Sequence, residues 1–375
     1  MISPSVQANI YNLIRRCVMS DAGVVQYCLD PSDSTKKADG TPSVLTGAHG
    51  QVMVEIPKFY TKREVQGTFT TWKLSHLPIA GYAVHPAFIK DGIEVNFRYI
   101  GAYDACYFEA STSTYKSGLN LDALTVNTAT DKLASVSGVY PIVGVTRATC
   151  RTLAANRGSG WRQLDFALWS AIQMLYVVEY DSLFSQNKTG AGNTNGSYLA
   201  SSSNQTDSPH TIAGASNGLG NASTNTTTGA GVSAKPGTSF MSYRGIENLY
   251  GNAWTWLDGI NINVGTAGTV YVNNTTSQFA DGTASNYTLL TSSLPTTAGY
   301  PTNFISLDNY FLPSNATGGS TTTYLTDQSY FNGSLNRVLL AGGGARDAGT
   351  AGAFVLDALT DAGLRARNVS ARLAR

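Results

Sequence analysis

Apolar positions along the chain switch between a helical and an alternating period, and the switches mark the elements. Ser3 and Pro4 supply an N-cap hydroxyl and a proline suited to the first helical turn. Ile10, Leu13, Ile14 and Cys17 then recur at i, i+3, i+4 and i+7, which predicts a short amphipathic helix within residues 1–22. Gly23 opens a strand from Val24 to Leu29. Val52, Val54 and Ile56 alternate with other residues from Gln51 onward, and this strand stops at Pro57. Phe59-Tyr60 and Thr70-Thr71-Trp72 continue the β-rich pattern around a turn near Gln66-Gly67, and Asn96 to Tyr103 alternates again.

The clearest helix is predicted from Leu164 to Tyr180, where Leu164, Leu168, Ile172 and Leu175 repeat at helical spacing; it reads as a core helix packed on a sheet. Residues 185–240 are small, polar and Gly-rich. Such sequence buries too little apolar area to offset its own ordering, so a long surface excursion or mobile loop is expected, with order resuming at Phe240. Arg337 to Ala341 reads as a strand broken by Gly342-Gly343-Gly344. Val369 to Leu373 reads as a final strand. No internal repeat is present.

Composition narrows the function classes. Apolar residues are 42% of the chain and charged residues only 13%, so a core is available and the surface is polar without being charged. A formal net charge of +1 offers no bulk field for nucleic acid or anionic lipid. The 20 tyrosines suit a recognition face, because tyrosine is rigid and amphipathic, and they equally suit strand surfaces. Cys17, Cys28, Cys106 and Cys150 are widely spaced, which fits neither a disulfide scaffold nor a zinc site and does fit folding in a reducing cytoplasm. No signal-peptide core opens the chain and no apolar run is long enough to span a bilayer. A virion part, assembled in the cytoplasm and released by lysis, reconciles an extracellular-looking polar stretch with the missing export signal. On that reading the sequons at Asn187, Asn204, Asn221 and Asn225 are accidents of composition.

The segment Tyr243 to Gly259 carries Gly251-Asn252-Ala253-Trp254-Thr255-Trp256. It resembles the Gly-Asn-x-Trp-x-Trp signature of the formylglycine-generating-enzyme-like branch of the C-type lectin fold. It is most similar to the phage and diversity-generating-retroelement variable proteins of that branch, the major tropism determinant type. Trp161 to Asp165 with Ala171 to Tyr180 resembles the central helix of that family. Gln51 to Tyr60, His85 to Phe88 and Tyr99 to Tyr103 resemble its N-terminal half, and Arg337, Gly342, Gly343, Ala351, Gly352, Phe354, Leu356 and Asn368 to Leu373 resemble the frame around its variable segment.

The resemblance implies an α+β, C-type-lectin-like domain over residues 23–375, with mixed twisted sheets, two helices and long irregular loops, interrupted by the insert 185–240 and ending in a display segment, 341–367. It implies a structural frame of Asn252, Trp254, Trp256, Gly342, Gly343 and Arg372, with Asn252 a buried brace and both tryptophans in the core. Position by position, it implies receptor-facing side chains at Gly344, Ala345, Arg346, Thr350, Val355, Asp357, Leu359, Thr360, Leu364 and Arg365. The sequence departs from the family at Ala345, where tryptophan is common, and at Ser370, where glycine is common. Residues 341–363 also lack the asparagines typical of adenine-rich template codons.

Catalysis finds little support in these residues. No cysteine follows Cys150, so the copper-binding cysteines of the formylglycine-generating enzymes are missing. His49, His76, His85 and His210 are isolated in sequence, unlike the clustered ligands of the related iron enzymes, and His85 before Pro86 reads as a turn or packing residue. Thr255 stands where those enzymes carry glutamate, which removes a hard anionic ligand for calcium. Asp258, Asp281 and Asp308 are left as loop carboxylates able to serve a cation or form turns. Gly342-Gly343-Gly344 lacks the Lys-Ser/Thr of a phosphate-binding loop. Arg365, Arg367, Arg372 and Arg375 have no interleaved aromatics to suggest a nucleic-acid tail.

The resulting expectation is a non-enzymatic tail-fibre-tip adhesin in the virion, without cofactor. Its partners would be a bacterial surface protein or glycan and other phage tail proteins, with no nucleic acid and no membrane insertion, and by analogy it would be a homotrimer. The alternatives are a glycan depolymerase, for which Glu247 and Asp258 are the only close carboxylate pair in a motif, and a purely structural fibre or baseplate component.

Overall fold

A computed structural model describes residues 10–118, 125–195, 210–224 and 239–375. The architecture is α+β, mostly sheet with short helices. One six-stranded sheet runs in the order Arg162–Gln163, Leu373–Ala374, Phe97–Gly101, β3 (Gln51–Pro57), β1 (Arg15–Met19) and β2 (Val25–Cys28). A second sheet runs Thr288–Thr291, Val270–Val272, Trp254–Ile262, Arg337–Ala341, Leu356–Asp357 and Ser329–Tyr330, with Val369–Ser370 pairing in parallel onto Trp254–Thr255.

β3 is more buried than alternation alone predicts, with all of its residues inside. Val52, Val54 and Ile56 face the main apolar core, whereas Met53 joins a second core cluster on the opposite side. The polar residues on that second side are satisfied. Glu55 accepts from Arg15 Nε at 2.9 Å and Tyr99 Oη at 2.8 Å, and the Gln51 side-chain oxygen accepts the Ser135 N–H at 2.8 Å. Pairing with partners is what permits polar burial here.

The expected N-terminal helix ends earlier than its spacing implies. Among the described residues helical geometry covers 10–13 and goes no further, and Cys17 lies on β1, opposite Met53 of β3. Ladder pairing on both edges of Arg15–Met19 outweighs the weak local preference of a four-position pattern. Ser3 and Pro4 lie outside the described residues.

The central helix is observed at Phe166–Tyr180. Asp165 caps it by accepting the Leu168 N–H at 2.8 Å, and Asp181 ends it in the left-handed region at φ 47°. Every residue from Phe166 to Val177 is buried, because the helix is wedged within the core and not laid on a sheet with one face in water. A further helix, Arg147–Ala155, is not anticipated by the sequence reading. Its signal was present: Thr146 is an N-cap accepting from Thr149 N–H, and Cys150, Leu153 and Ala154 form a buried helical stripe.

Residues 196–209 and 225–238 of the insert 185–240 lie outside the described residues, and the described remainder departs from expectation. Its described parts are built into the body and are not a surface excursion. Ser185–Thr189 is a short helix, and Thr189, Asn193, Thr194, His210, Thr211 and Ser216 are buried. The small polar side chains act as internal hydrogen-bonding groups. Arg16 donates to Gly245 O at 2.7 Å, Ser34 Oγ at 3.0 Å and Ser216 Oγ at 2.6 Å, and Glu247 accepts the N–H groups of Gly214 at 2.9 Å and Ser216 at 2.6 Å. Of the sequons, Asn187 is exposed and Asn221 accepts the Arg16 N–H at 2.7 Å; Asn204 and Asn225 lie outside the described residues.

The last strand is also divided. Val369–Ser370 belongs to the second sheet and Leu373–Ala374 to the first, so the chain crosses between the sheets at Ala371-Arg372. No helix among the described residues is long and apolar enough to cross a membrane.

Candidate functional site: a groove beside the Trp254 strand

Arg372 marks the junction of the sheets. Its guanidinium, 1% exposed, donates to Gly101 O at 3.1 Å, Glu247 O at 2.8 Å, Asn248 O at 2.9 Å and Asp104 Oδ1 at 2.5 Å. Asn252 completes the same knot from the other side. It takes the left-handed conformation at φ 60°, donates to Asp104 Oδ2 at 2.7 Å, and accepts from Asn193 Nδ2 at 2.9 Å and Thr211 N–H at 2.8 Å. Burial works against both members of the ion pair. It pushes the Asp104 carboxyl up to about 6 and holds Arg372 below the usual arginine range.

The segment after this knot is aimed by glycine. Gly342 and Gly343 have φ of 89° and 77°, where a side chain is strained, and a Cβ on Gly343 would lie 2.8 Å from the Ala351 Cβ. The chain then folds back on the Asn252 brace, with Ala345 N–H donating to Asn252 O at 3.0 Å. Asp347 accepts the Gly344 N–H at 2.6 Å and closes the turn.

This return path divides the ten expected receptor-facing positions. Gly344, Ala345 and Val355 are buried, so they are frame and not display. Ala345 is pinned on Asn252, and Val355 packs in the second core cluster with Trp254 and Trp256. Arg346, Leu359 and Arg365 are exposed, and Thr350, Asp357, Thr360 and Leu364 are half-buried. Arg365 is nonetheless tied to the body, since its Nε donates to Gly144 O at 2.9 Å. Phe354 is also core, in contact with the rings of Tyr176, Phe304 and Phe311.

Asp357, Leu359, Thr360 and Leu364 come together along an open groove of about 520 Å³. Trp254, Arg337, Asp361 and Asn368 also line it, and sequence reasoning missed them as groove residues. They come from three separate stretches that only the second sheet brings side by side, so no local pattern could reveal them. Trp254 is 5% exposed, as a core residue should be, yet its edge reaches the groove, and Tyr330 meets it in a T-shaped contact at 5.9 Å. Trp256 is fully inside and donates its indole N–H to Val145 O at 3.1 Å.

Carboxylates set the electrostatics of this face. Burial pushes the Asp357 carboxyl up to about 6, and the nearby Asp347 adds to the rise, while the Leu359 N–H donated at 2.7 Å opposes it. Beneath the groove wall, Asp327 accepts the Phe354 N–H at 2.9 Å and the Thr326 hydroxyl at 3.2 Å, and burial pushes it up to about 7.

The other candidate chemistry is absorbed by structure. Asp258 accepts from Arg151 Nε at 2.6 Å and Nη2 at 2.9 Å, and Asp281 pairs with Arg147 at 2.5 Å and Arg151 at 2.6 Å. These two aspartates form an arginine network and do not converge on a cation; Asp308 is exposed elsewhere. Among the described residues, no three His, Cys, Asp or Glu side chains converge as a metal site. Glu247 and Asp258, the carboxylates weighed for hydrolysis, are both buried and fully occupied by the bonds just given. His85 caps the turn at Pro86–Phe88 by accepting the Ala87 N–H at 3.2 Å and packs on Phe59. A scan of known protein families matches none to this chain, and a search of curated proteins finds no similar sequence.

Proposed function

We propose that this chain is a phage receptor-binding protein of the C-type-lectin-like fold, a non-enzymatic adhesin at the tail-fibre tip that engages a bacterial surface protein or glycan through the Trp254 groove. The observation that carries this reading is the division of labour around the groove. Its rim, residues 357–368, is mostly irregular and surface-lying, whereas its floor is formed by buried residues of the second sheet, Trp254, Leu340 and Val369. A rigid frame beneath a rim that can change without disturbing the core is the arrangement recognition requires. The face is smaller than the resemblance implies. It centres on Asp357, Leu359, Thr360 and Leu364, with Arg346 and Thr350 beside it.

Binding at such a shallow groove is modest per site and gains from repetition, which is consistent with a homotrimer on a multi-fibre virion. The test is saturable binding of the purified chain to susceptible bacteria together with blocking of phage adsorption. The adhesin reading expects both, with no release of reducing ends from host polysaccharide. Polysaccharide cleavage would establish the depolymerase alternative instead, and absence of binding to any susceptible strain would remove the adhesin reading.

A further inference from the structure

Register brings together two cysteines that the sequence keeps apart. β1 and β2 are antiparallel, and Cys17 stands directly opposite Cys28. Leu29 N–H donates to Arg16 O at 3.0 Å, so the neighbouring pair carries the ladder bond and Cys17/Cys28 is a non-hydrogen-bonded pair. Facing residues at such a position have Cα atoms about 4.5 Å apart and side chains on one face of the sheet. That separation lies inside the range a disulfide spans, roughly 4.4–6.8 Å. Both side chains pack into the same cluster, with Met19, Met53 and Trp161, and both thiols lie close enough to Arg15 to interact with its charge. Cys17 is wholly buried and Cys28 half-buried, so the pair has one reachable sulfur and one sheltered sulfur.

We propose that Cys17 and Cys28 are an oxidative modification site that closes to a cross-strand disulfide, fastening the edge strand β2 to the six-stranded sheet. With a hydroperoxide as oxidant, the reachable Cys28 thiol attacks the peroxide oxygen, giving Cys28 sulfenic acid and water. The Cys17 sulfur then attacks the Cys28 sulfur, forming the S–S bond and expelling a second water. The two thiols are oxidised and the peroxide is reduced, with all atoms accounted for. β2 is the outermost strand of its sheet, bonded on its far edge where Ala38 N–H donates to Cys28 O at 3.0 Å, so a covalent tie to β1 restrains an edge strand.

Cleavage after Arg16 and Lys36 places both cysteines on one tryptic peptide, residues 17–36, which gives the experiment a clean readout. The full chain is treated with hydrogen peroxide, denatured, alkylated, digested and weighed. The expected result is peptide 17–36 lighter by two hydrogens and unalkylated, with Cys106 and Cys150 still alkylated, and with the bridge reversed by reductant. The oxidised chain should melt several degrees higher than the reduced chain, and Cys28→Ser should abolish both changes. Recovery of peptide 17–36 with both cysteines alkylated would overturn the proposal. So would a product in which Cys28 is sulfinic or sulfonic acid, or is linked to a second chain. Should Cys28→Ser fail to fold, Cys17→Ser serves in its place, with Cys28 then expected as sulfenic acid trapped by dimedone.

Discussion

Replacing Arg372 by methionine is expected to cost about 3–5 kcal/mol of folding stability, the largest loss from any single substitution considered. Methionine keeps the apolar stem and removes the guanidinium. Four acceptors then lose their donor at once: Gly101 O, Glu247 O, Asn248 O and the Asp104 carboxylate. The carbonyls are buried at the join of two sheets, where water does not replace the lost bonds, and Asp104 keeps the Asn252 amide as a donor but faces the Glu247 carboxylate without a cation between them. Urea denaturation measures the loss. A pH series identifies its cause. The Asp104 carboxyl already sits at about 6 because burial disfavours its charge, and losing Arg372 raises it further. A folded carboxyl with a raised pKa holds its proton where the unfolded one has lost it. Its favourable contribution is therefore full below the unfolded value of about 4 and declines as pH rises through the folded value. The deficit of Arg372→Met relative to the parent should accordingly be smaller at pH 5 than at pH 8. A deficit equal at both values would mean that packing, and not the orphaned carboxylate, dominates.

Gly352→Ala is the second large effect, with an expected loss of about 2–4 kcal/mol from overpacking and a displaced buried carboxylate. A Cβ there would lie 2.1 Å from Asp327 Oδ2 and 2.5 Å from Asp327 Cγ, separations no relaxed contact allows. Asp327 has nowhere to retreat. It is 2% exposed, and its carboxylate holds the Phe354 N–H at 2.9 Å. Moving it releases the backbone that sets Phe354 in the core and, just beyond, Asp357 and Leu359 on the groove. Gly349→Ala provides the control in the same loop. Gly349 is exposed and nothing stands within 4 Å of its would-be Cβ, so it should change stability by less than about 0.5 kcal/mol. Thermal melting of the two variants side by side checks the contrast. Equal melting temperatures would show that the 352–355 turn tolerates displacement.

Local pattern revealed the elements whose character depends on a few adjacent residues. The central helix and β3 were legible from apolar spacing, and β2 and the strand Arg337–Ala341 from the glycines that bound them. The described parts of the insert were misread for a physical reason. A run rich in Ser, Thr, Asn and Gly resembles solvent-facing chain, but its described parts use those groups to satisfy buried charges such as Arg16 and Glu247. No periodicity records a polar contact made some 200 residues away. The same blindness hid Arg16, Arg98, Arg147 and Arg162, which are fully buried and tie distant segments together. Arg98, for example, donates to Asp165 Oδ2 at 2.5 Å and so fixes the start of the central helix. On the candidate face, the positions carried over from the resemblance divide between groove-lining residues such as Asp357 and Leu359 and buried ones. Gly344, Ala345 and Val355 turn inward because the chain folds back over Asn252, and a linear motif does not encode that reversal.

Leu359 is the rim side chain at which recognition through the groove is most directly tested. Its side chain is 41% exposed on the rim, so Leu359→Glu adds charge and bulk at the proposed contact without entering the core. Binding of the purified parent and Leu359→Glu chains to susceptible bacteria is the measurement, with melting temperature recorded for both. Receptor recognition through this groove predicts at least a tenfold loss of cell binding at an unchanged melting temperature. Full binding by a normally folded Leu359→Glu chain would contradict it and move the recognition surface elsewhere on the molecule.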